Sequence, residues 1–294
     1  MADTQTGPWT VLRLLEWTKG HFQQKDVHDP RLGAEVLLAH VLGCERIELY
    51  TRFDYEPTQD ELTAFREMVK RAANHEPVAY LTGKKEFYSL PMIVTPDVLI
   101  PRPETEILVE QALKYLPCDD EPTAWDACTG SGCVAMAIAV NAPSAKVLAT
   151  DISPEAVAVA QRNADALGLS DRVRCMEADM AILPEAATDW APFDVITANP
   201  PYVTKGDWIA PSVAHEPDIA LYADDEGLAM LRRLFAEAAD AVKPGGVLIS
   251  EFSFNQGAAV REIIENLPAW DDATFLVDHQ GLERTVVARR SDSD

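Results

Sequence analysis

The tetrapeptide Asn199-Pro200-Pro201-Tyr202 is the part of this sequence that points most directly to chemistry, and it follows the strand-like run 193–198. Proline lacks a backbone N–H, fixes φ at about −65° and keeps the preceding residue extended, so the turn is stiff and presents bare carbonyl oxygens. With the Asn199 side-chain oxygen and the Tyr202 ring, such a turn suits a planar NH2 group: a guanidinium, a nucleobase amine or a carboxamide. Two prolines after a strand more often form only a turn. Other features of the chain are therefore needed to distinguish a simple turn from a binding site.

A second group of residues suited to ligand binding follows the predicted strand 123–127. Gly130 and Gly132 let the backbone come close to a ligand, and a predicted helix begins directly after them. A Gly-x-Gly turn alone is a weak signal, because tight turns need glycine for their own geometry. The whole segment reads Asp126-Ala127-Cys128-Thr129-Gly130-Ser131-Gly132.

Two acidic residues follow the next two predicted strands. Asp151 comes after the strand 146–150, where an acidic residue typically hydrogen-bonds a ribose diol. Asp179 comes after the strand 173–176 and is placed to meet the edge of an adenine ring. Each also has a purely structural interpretation, with Asp151 as a cap before Ser153 and Asp179 as a solvated carboxylate. The order of these groups along the chain favours a nucleoside site.

The segments that must position these residues alternate between strand and helix from about residue 121 onward. This alternation predicts a mostly parallel sheet with helices on both faces. In such sheets ligands bind beyond the carboxyl ends of the strands, where each group described above falls. The predicted strands are 123–127, 146–150, 173–176, 194–198, 246–252, 275–277 and 285–288, and the predicted helices are 133–140, 154–167, 228–241 and 257–266.

Residues 9 to about 84 have apolar positions at helical spacing, which predicts a small helical bundle with faces open to a partner. Within it, Asp29-Pro30 predicts a helix start and Gly43 a helix stop. The next segment is predicted to be a β-hairpin with its turn at 95–97. The predicted domains are the bundle 1–84, the hairpin linker 85–100 and the α/β domain 101–294.

Length, composition and charge narrow the classes of protein to consider. The 294 residues are 47% hydrophobic and 25% charged, and their net charge is −23. This composition is typical of a globular protein. The negative charge disfavours a protein that binds the phosphates of nucleic acids. No signal peptide or membrane-length apolar run is visible, and the five cysteines are scattered as in reduced proteins. A cytoplasmic protein without a metal site is therefore expected.

The glycine pattern separates two classes of nucleotide site. Dinucleotide sites usually have three glycines in Gly-x-Gly-x-x-Gly, and the third place here is held by Ala135. Some dinucleotide sites accept alanine at the third place, so the glycine pattern is only weak evidence against a dinucleotide site. The Asn199–Tyr202 turn, which hydride transfer does not require, favours a nucleoside without pyrophosphate, namely S-adenosylmethionine.

Further segments carry a resemblance that covers nearly the whole chain. The chain resembles the class I S-adenosylmethionine-dependent methyltransferases, and among them the peptide chain release factor N5-glutamine methyltransferases. The segment 98–106 is that family's most specific signature, and the other matching segments are 76–83, 86–87, 199–202, 216–217, 220–221, Gly281 and Arg284. The resemblance implies a Rossmann-like α/β domain with a mostly parallel seven-stranded sheet, preceded by a small N-terminal helical bundle.

The resemblance implies an enzyme that transfers a methyl group from S-adenosylmethionine to the side-chain N5 nitrogen of the glutamine in the Gly-Gly-Gln motif of class I peptide chain release factors, in support of translation termination. The release factor is the implied partner, and a monomer that binds no nucleic acid, membrane or metal is expected. The expected catalytic residues are Asn199, Pro200 and Tyr202. The expected substrate-binding residues are Asn199, Pro200, Pro201, Tyr202, Arg102 and Glu104. The expected cofactor-binding residues are Cys128, Thr129, Gly130, Ser131, Gly132, Asp151, Ile152, Asp179, Met180 and Asn199.

Three places depart from the family's pattern. Cys128 stands where the family usually has glycine, and its small thiol is expected to fit with slight crowding. Met180 stands where an aromatic ring often flanks adenine, and an adaptable methionine is expected to keep that contact. The segment 252–254 differs from the family's usual sequence after Glu251.

Other functions share parts of this pattern. Adenine-N6 nucleic-acid methyltransferases have a similar turn, but they lack the segment 98–106, and the charge of −23 counts against this class. A methyltransferase for another protein glutamine is the second alternative. The third is a non-catalytic subunit with the same fold, against which the intact Asn199–Tyr202 turn and Asp151 both count.

Overall fold

The computed structural model of the protein describes residues 7–118 and 121–292. Its chain divides into two compact units. The first holds the chain up to Gly83 together with Ile209–His215, and the second holds Lys84–Trp208 and the chain from Glu216 onward. The second unit therefore contains every residue to which the sequence assigns a role in chemistry.

The first unit is helical. Its elements are α1 (Val11–Gln24), α2 (Pro30–Leu42), a 3-10 turn (Arg46–Thr51), α3 (Gln59–Ala72) and α4 (Val78–Thr82). Gly43 ends α2 in the left-handed conformation at φ 60°, as predicted. Asp29 is the N-cap of α2 and Pro30 its first residue, as predicted, although the Asp29 side chain makes no capping hydrogen bond. Its own φ of 46° is a left-handed conformation that aspartate tolerates.

A β-hairpin begins the second unit. Its strands β1 (Lys84–Phe87) and β2 (Leu90–Ile93) pair in antiparallel register. Tyr88 and Ser89 form the turn with φ angles of 49° and 61°. Two consecutive left-handed residues give a turn whose twist matches that of the flanking strands.

The predicted hairpin turn at 95–97 is wrong. Thr95 does donate a hydrogen bond to the carboxylate of Asp97 at 2.9 Å, but this local turn comes after the hairpin has ended. The true turn is held from a distance, because the carboxylate of Glu106 accepts the N–H of Tyr88 at 2.8 Å. A contact between residues so far apart in the chain cannot be predicted from the local sequence pattern.

A seven-stranded sheet forms the centre of the second unit, as predicted. Its strands are β3 (Thr123–Ala127), β4 (Lys146–Asp151), β5 (Val173–Glu177), β6 (Phe193–Ala198), β7 (Val242–Glu251), β8 (Trp270–Val277) and β9 (Glu283–Arg290). They lie in the order β5-β4-β3-β6-β7-β9-β8, and β9 runs antiparallel to both of its neighbours, β7 and β8. The chain order changes direction at β3, so a crevice lies beyond the carboxyl ends of β3 and β6.

Helices cover both faces of this sheet. They are α5 (Glu106–Tyr115), α6 (Cys133–Asn141), α7 (Pro154–Ala166), α8 (Ala229–Ala238) and α9 (Gly257–Glu265). Ser153 caps α7 by accepting the N–H of Ala156, with Pro154 at the first helical position, as the sequence predicts. Successive residues of β3 face opposite sides, so Ala124 and Trp125 belong to different hydrophobic clusters. Within the described residues, no helix is long and apolar enough to cross a bilayer.

Candidate active site

A cavity of about 260 Å3 lies beyond the carboxyl ends of β3, β4 and β6. It brings together most of the residues that the sequence singles out, although they come from five separate segments. The predicted site residues that line it are Arg102, Cys128, Thr129, Gly130, Ser131, Asp151, Ile152, Asp179, Met180, Asn199 and Pro201. The predicted site residues outside its lining are Glu104, Gly132, Pro200 and Tyr202.

The glycine loop after β3 uses its two glycines differently. Gly130 lines the cavity at φ 53°, and its N–H donates to the carboxylate of Asp151 at 2.8 Å. Gly132 has φ 79°, and a Cβ there would stand 3.1 Å from both the Cβ of Ala160 and the Cε of Met136. Gly130 therefore shapes the cavity, whereas Gly132 allows the loop to pack against α7.

Asp151 presents a restrained carboxylate at the end of β4. Its oxygens accept the N–H of Gly130 at 2.8 Å and the N–H of Ser153 at 3.0 Å. Burial raises the pKa of Asp151, and these backbone hydrogen bonds oppose the increase. An acidic acceptor that is fixed at this place in the fold is suited to a ribose diol.

Asp126 is a buried carboxylate of the cavity lining to which the sequence assigns no binding role. It accepts hydrogen bonds from the hydroxyls of Thr129 at 2.5 Å and Thr197 at 2.8 Å. Burial raises its pKa to about 6, and the nearby charge of Asp151 acts in the same direction. A shifted carboxyl group in a cavity is a feature of functional sites. Its place at the end of β3, directly before the glycine loop, was the available signal.

Asp179 is paired in the structure. The guanidinium of Arg233 donates to both of its carboxylate oxygens at 3.1 Å, and Arg233 also pairs with Glu237 at 3.0 Å. Asp179 is thus held by an ion pair while 43% of its side chain remains exposed to solvent. Because Arg233 lies on α8, this helix fixes one wall of the cavity.

The two single-residue departures from the family's pattern contact each other. The Sγ of Cys128 lies 3.8 Å from the Sδ of Met180, and both residues have left-handed backbones, at φ 57° and 54°. Burial raises the pKa of the Cys128 thiol far above its usual range, so the thiol is uncharged at neutral pH. Together the two sulfur atoms form an adaptable apolar part of the cavity lining.

A buried hydrogen-bond chain supports the turn after β6. The Nδ2 of Asn199 donates to the Oγ1 of Thr105 at 3.3 Å, and Thr105 donates to the Oε2 of Glu251 at 2.7 Å. The Tyr202 hydroxyl donates to the Oε1 of Glu251 at 2.8 Å. Glu251 is 1% exposed, and burial raises the pKa of its carboxyl group and of the Tyr202 phenol. Gly227 also lies against the turn, since a Cβ there would approach the Tyr202 carbonyl oxygen to 2.1 Å.

The segment 98–106 is tied to a second family motif by one carboxylate. Glu216 accepts the N–H of Ile100 at 3.1 Å and forms an ion pair with the guanidinium of Arg102. Arg102 lines the cavity, while the Glu216 side chain is 2% exposed. The pair thus fixes the cavity wall that this segment provides.

The sequence missed Thr105 and Glu251 as members of the site. Thr105 lines the cavity and lies within the signature segment. Its proline and charged neighbours carry stronger sequence signals than a single threonine. Glu251 ends the apolar run of β7, and a charged residue at the end of a buried strand was the signal that could have identified it.

Comparisons with known proteins identify the family. The model of the PrmC N-terminal domain matches residues 13–83, and that of a methyltransferase domain matches residues 124–210. A release factor glutamine methyltransferase of Rhodopirellula baltica is 39% identical, over 99% of this chain and 100% of the relative. That of Salmonella typhimurium is 37% identical, over 91% of this chain and 95% of the relative. The chain belongs to the release factor glutamine methyltransferases. The predicted family is confirmed.

Solved structures support the fold alone. The hMettl16 catalytic domain in complex with MAT2A 3'UTR hairpin 6 has a TM-score of 0.57 and 14% identity, over 75% of this chain and 84% of that chain. A methyltransferase from Pyrococcus furiosus has a TM-score of 0.50 and 17% identity, over 70% of this chain and 91% of that chain. The Rossmann-like methyltransferase fold that the sequence predicts is confirmed.

This enzyme is a methyltransferase, and the methyl donor of its class is S-adenosylmethionine. The cavity fits such a donor. Its lining combines a glycine loop, polar groups and apolar side chains, as a nucleoside with a methionine chain requires. Asp151 offers an acceptor for the ribose, and Cys128 and Met180 offer apolar contact. The individual contacts of these residues with the donor stay predictions.

Proposed function

We propose that this protein methylates the side-chain N5 nitrogen of the glutamine in the Gly-Gly-Gln motif of class I release factors, in support of translation termination. The observation that carries the proposal is the restrained carboxamide of Asn199 at the cavity wall. Its Nδ2 donates a hydrogen bond to the Oγ1 of Thr105 at 3.3 Å, while its Oδ1 accepts no hydrogen bond from the described residues. A free amide oxygen in the cavity lining is suited to accept a hydrogen from a substrate NH2 group.

The residues of the turn have distinct roles in this proposal. Asn199 Oδ1 accepts one hydrogen of the substrate amide, and the carbonyl oxygen of Pro200 accepts the other. Tyr202 stacks on the amide plane. Pro201, Arg102 and Glu104 contact the polypeptide around the glutamine. The near full-length similarity to release factor glutamine methyltransferases supports these roles.

The chemistry that these residues must perform is alignment. A carboxamide nitrogen is a poor nucleophile because its lone pair is delocalised into the carbonyl group. S-adenosylmethionine supplies an electrophilic methyl group. Two acceptors that hold both N–H groups turn the nitrogen toward that methyl and raise its electron density. Alignment of this kind is worth up to about 7–11 kcal/mol, and no strong base is needed, since the methylated amide is acidic and loses its proton readily.

The cofactor-binding part of the proposal follows the lining of the cavity. Cys128, Thr129, Gly130 and Ser131 form the loop beside the donor. Asp151 and Ile152 hold the ribose, and Asp179 and Met180 flank the adenine. Gly132 supports the loop from outside the lining.

We also propose that the protein acts in the cytoplasm as a monomer and binds no nucleic acid. The net charge of −23 supports the absence of nucleic-acid binding, because nucleic-acid phosphates would be repelled over most of the surface. The helical first unit then helps to hold the release factor.

Mass spectrometry of a purified class I release factor, incubated with the protein and S-adenosylmethionine, tests the proposal. We expect one added methyl group on the glutamine of the Gly-Gly-Gln motif and none on a release factor in which alanine replaces that glutamine. Asn199→Ala should keep its affinity for S-adenosylmethionine, measured by calorimetry, and lose transfer. A methyl group on another residue, or a kcat of Asn199→Ala near that of the wild type, would contradict the assignment. Methylation of adenine in a nucleic acid would favour the alternative function.

A further inference from the structure

We infer that Glu251 is a positioning residue, which orients the carboxamide of Asn199 through the hydroxyl of Thr105. The inference rests on the proposed function, because it explains how the Asn199 oxygen comes to face the substrate. It assigns a role to a buried carboxylate that the mechanism above does not use.

The donor and acceptor roles in this chain follow from the chemistry of its members. In the structure both Thr105 and Tyr202 donate their hydroxyl protons to the carboxylate oxygens of Glu251, at 2.7 Å and 2.8 Å. A threonine hydroxyl has one proton, and that of Thr105 is thereby committed. Its oxygen is left as an acceptor for the next group in the chain.

The consequence for Asn199 is a single allowed orientation. Only its NH2 end can donate to the Thr105 oxygen, at 3.3 Å, so its Oδ1 must take the other side. The reverse orientation would set two lone-pair oxygens against each other at Thr105. It would also present an NH2 group to the NH2 group of a substrate amide, which neither could satisfy.

The burial of Glu251 argues that the arrangement serves more than stability. A carboxyl group that is 1% exposed is costly to bury, and apolar side chains of similar volume would often stabilise a fold as well or better. Here both carboxylate oxygens of Glu251 accept hydrogen bonds from groups that belong to the candidate catalytic turn or contact it. Thr105 comes from the 3-10 turn Pro103–Thr105, and Tyr202 belongs to the turn itself.

Thr105→Val is the variant that tests the relay, since it keeps the shape of the side chain and removes the hydroxyl. We expect kcat for release factor methylation to fall about tenfold or more, while KM for the release factor and the affinity for S-adenosylmethionine change less than about twofold. Thr105→Ser restores the hydroxyl and should recover most of the lost kcat.

Thr285→Val is the matched control. Thr285 is 1% exposed and pairs with Glu251 across β7 and β9, but its hydroxyl has no hydrogen-bond partner among the described residues. We expect this variant to keep the wild-type kcat. If Thr105→Val and Thr285→Val had the same kcat, the relay would be refuted.

Nuclear magnetic resonance gives a readout that does not depend on activity. The side-chain NH2 signals of Asn199, assigned by their loss in Asn199→Ala, should exchange slowly with solvent in the wild type and in Thr285→Val. They should exchange at least about tenfold faster in Thr105→Val. Equal exchange in Thr105→Val and the wild type would overturn the inference even if the variant were inactive or poorly folded. A wild type that methylates no release factor would instead overturn the proposed function.

Discussion

Replacement of Asp126 by asparagine should stabilise the folded protein at neutral pH. Burial raises the pKa of this carboxyl group to about 6, against an ordinary value of 3.8. Its proton is therefore held more tightly in the folded protein than in the unfolded chain. At about 1.4 kcal/mol per pH unit, keeping the group ionised at pH 7 costs about 3 kcal/mol.

The pH dependence has a definite sign. Well below the ordinary pKa of 3.8 both states hold the proton, and Asp126 imposes no cost. As the pH rises from about 4 to about 6, the unfolded chain loses the proton first, so the free energy of unfolding falls. Asparagine stays neutral and offers one acceptor and one donor to Thr129 and Thr197. Its advantage should therefore grow across this window to at most about 3 kcal/mol, because the replaced hydrogen bonds to a charged group offset part of the gain.

Urea unfolding of the wild type and Asp126→Asn, repeated from about pH 4 to about pH 8, measures this difference. Asp189→Asn is a control of opposite sign. The hydrogen bond from Arg174 lowers the pKa of Asp189, so that variant should be less stable than the wild type throughout this pH range, and the deficit should shrink only as the pH falls below the ordinary aspartate value. If Asp126→Asn were less stable than the wild type at pH 7, or if the difference between them did not change with pH, the reasoning would be wrong.

Two further predictions concern the same cavity. Gly132→Ala should destabilise the protein by about 1–3 kcal/mol more than Gly168→Ala in urea unfolding, since both glycines have positive φ but only the first would meet Ala160 at 3.1 Å. Equal losses would refute the packing argument. In calorimetry, the affinity for S-adenosylmethionine should increase from about pH 5 to about pH 7 as Asp126 ionises beside the cavity. S-adenosylhomocysteine, whose sulfur carries no charge, should show a weaker dependence; identical slopes for the two ligands would contradict an electrostatic origin.

Local patterns predicted the elements that position the site. β3 occupies residues 123–127 as predicted, and β6 ends at Ala198 directly before the Asn199 turn. Both strands are short apolar runs that end at residues with strong backbone preferences, so the pattern marks where each strand stops. The placement of the glycine loop, Asp151 and the turn at one edge of the sheet then follows from the topology of parallel strands.

Contacts between distant segments were beyond the reach of local patterns. Thr105 and Glu251 lie 146 residues apart in the chain, and Asn199 and Thr105 lie 94 apart, so only the folded sheet brings them together. The helix α5 was not predicted either. Thr105 at its N-cap and Glu106 in its first turn are ordinary sequence signals for a helix start, but they lie in a proline-containing segment, where proline favours extended backbone.

Each buried carboxylate around this site destabilises the folded protein unless a hydrogen-bond partner or an opposite charge compensates for its desolvation. Asp151 and Glu251 end β4 and β7, Asp126 is the last residue but one of β3, and burial raises the pKa of each one. Parallel strands bring their carboxyl ends to one edge, so the topology itself concentrates these acids. A cationic donor in the cavity would offset the repulsion between Asp126 and Asp151, whereas Glu251 is satisfied by its two hydroxyl partners. The fold thus separates two uses of buried acid: one pair suited to attract a positively charged ligand, and one carboxylate suited to orient an amide.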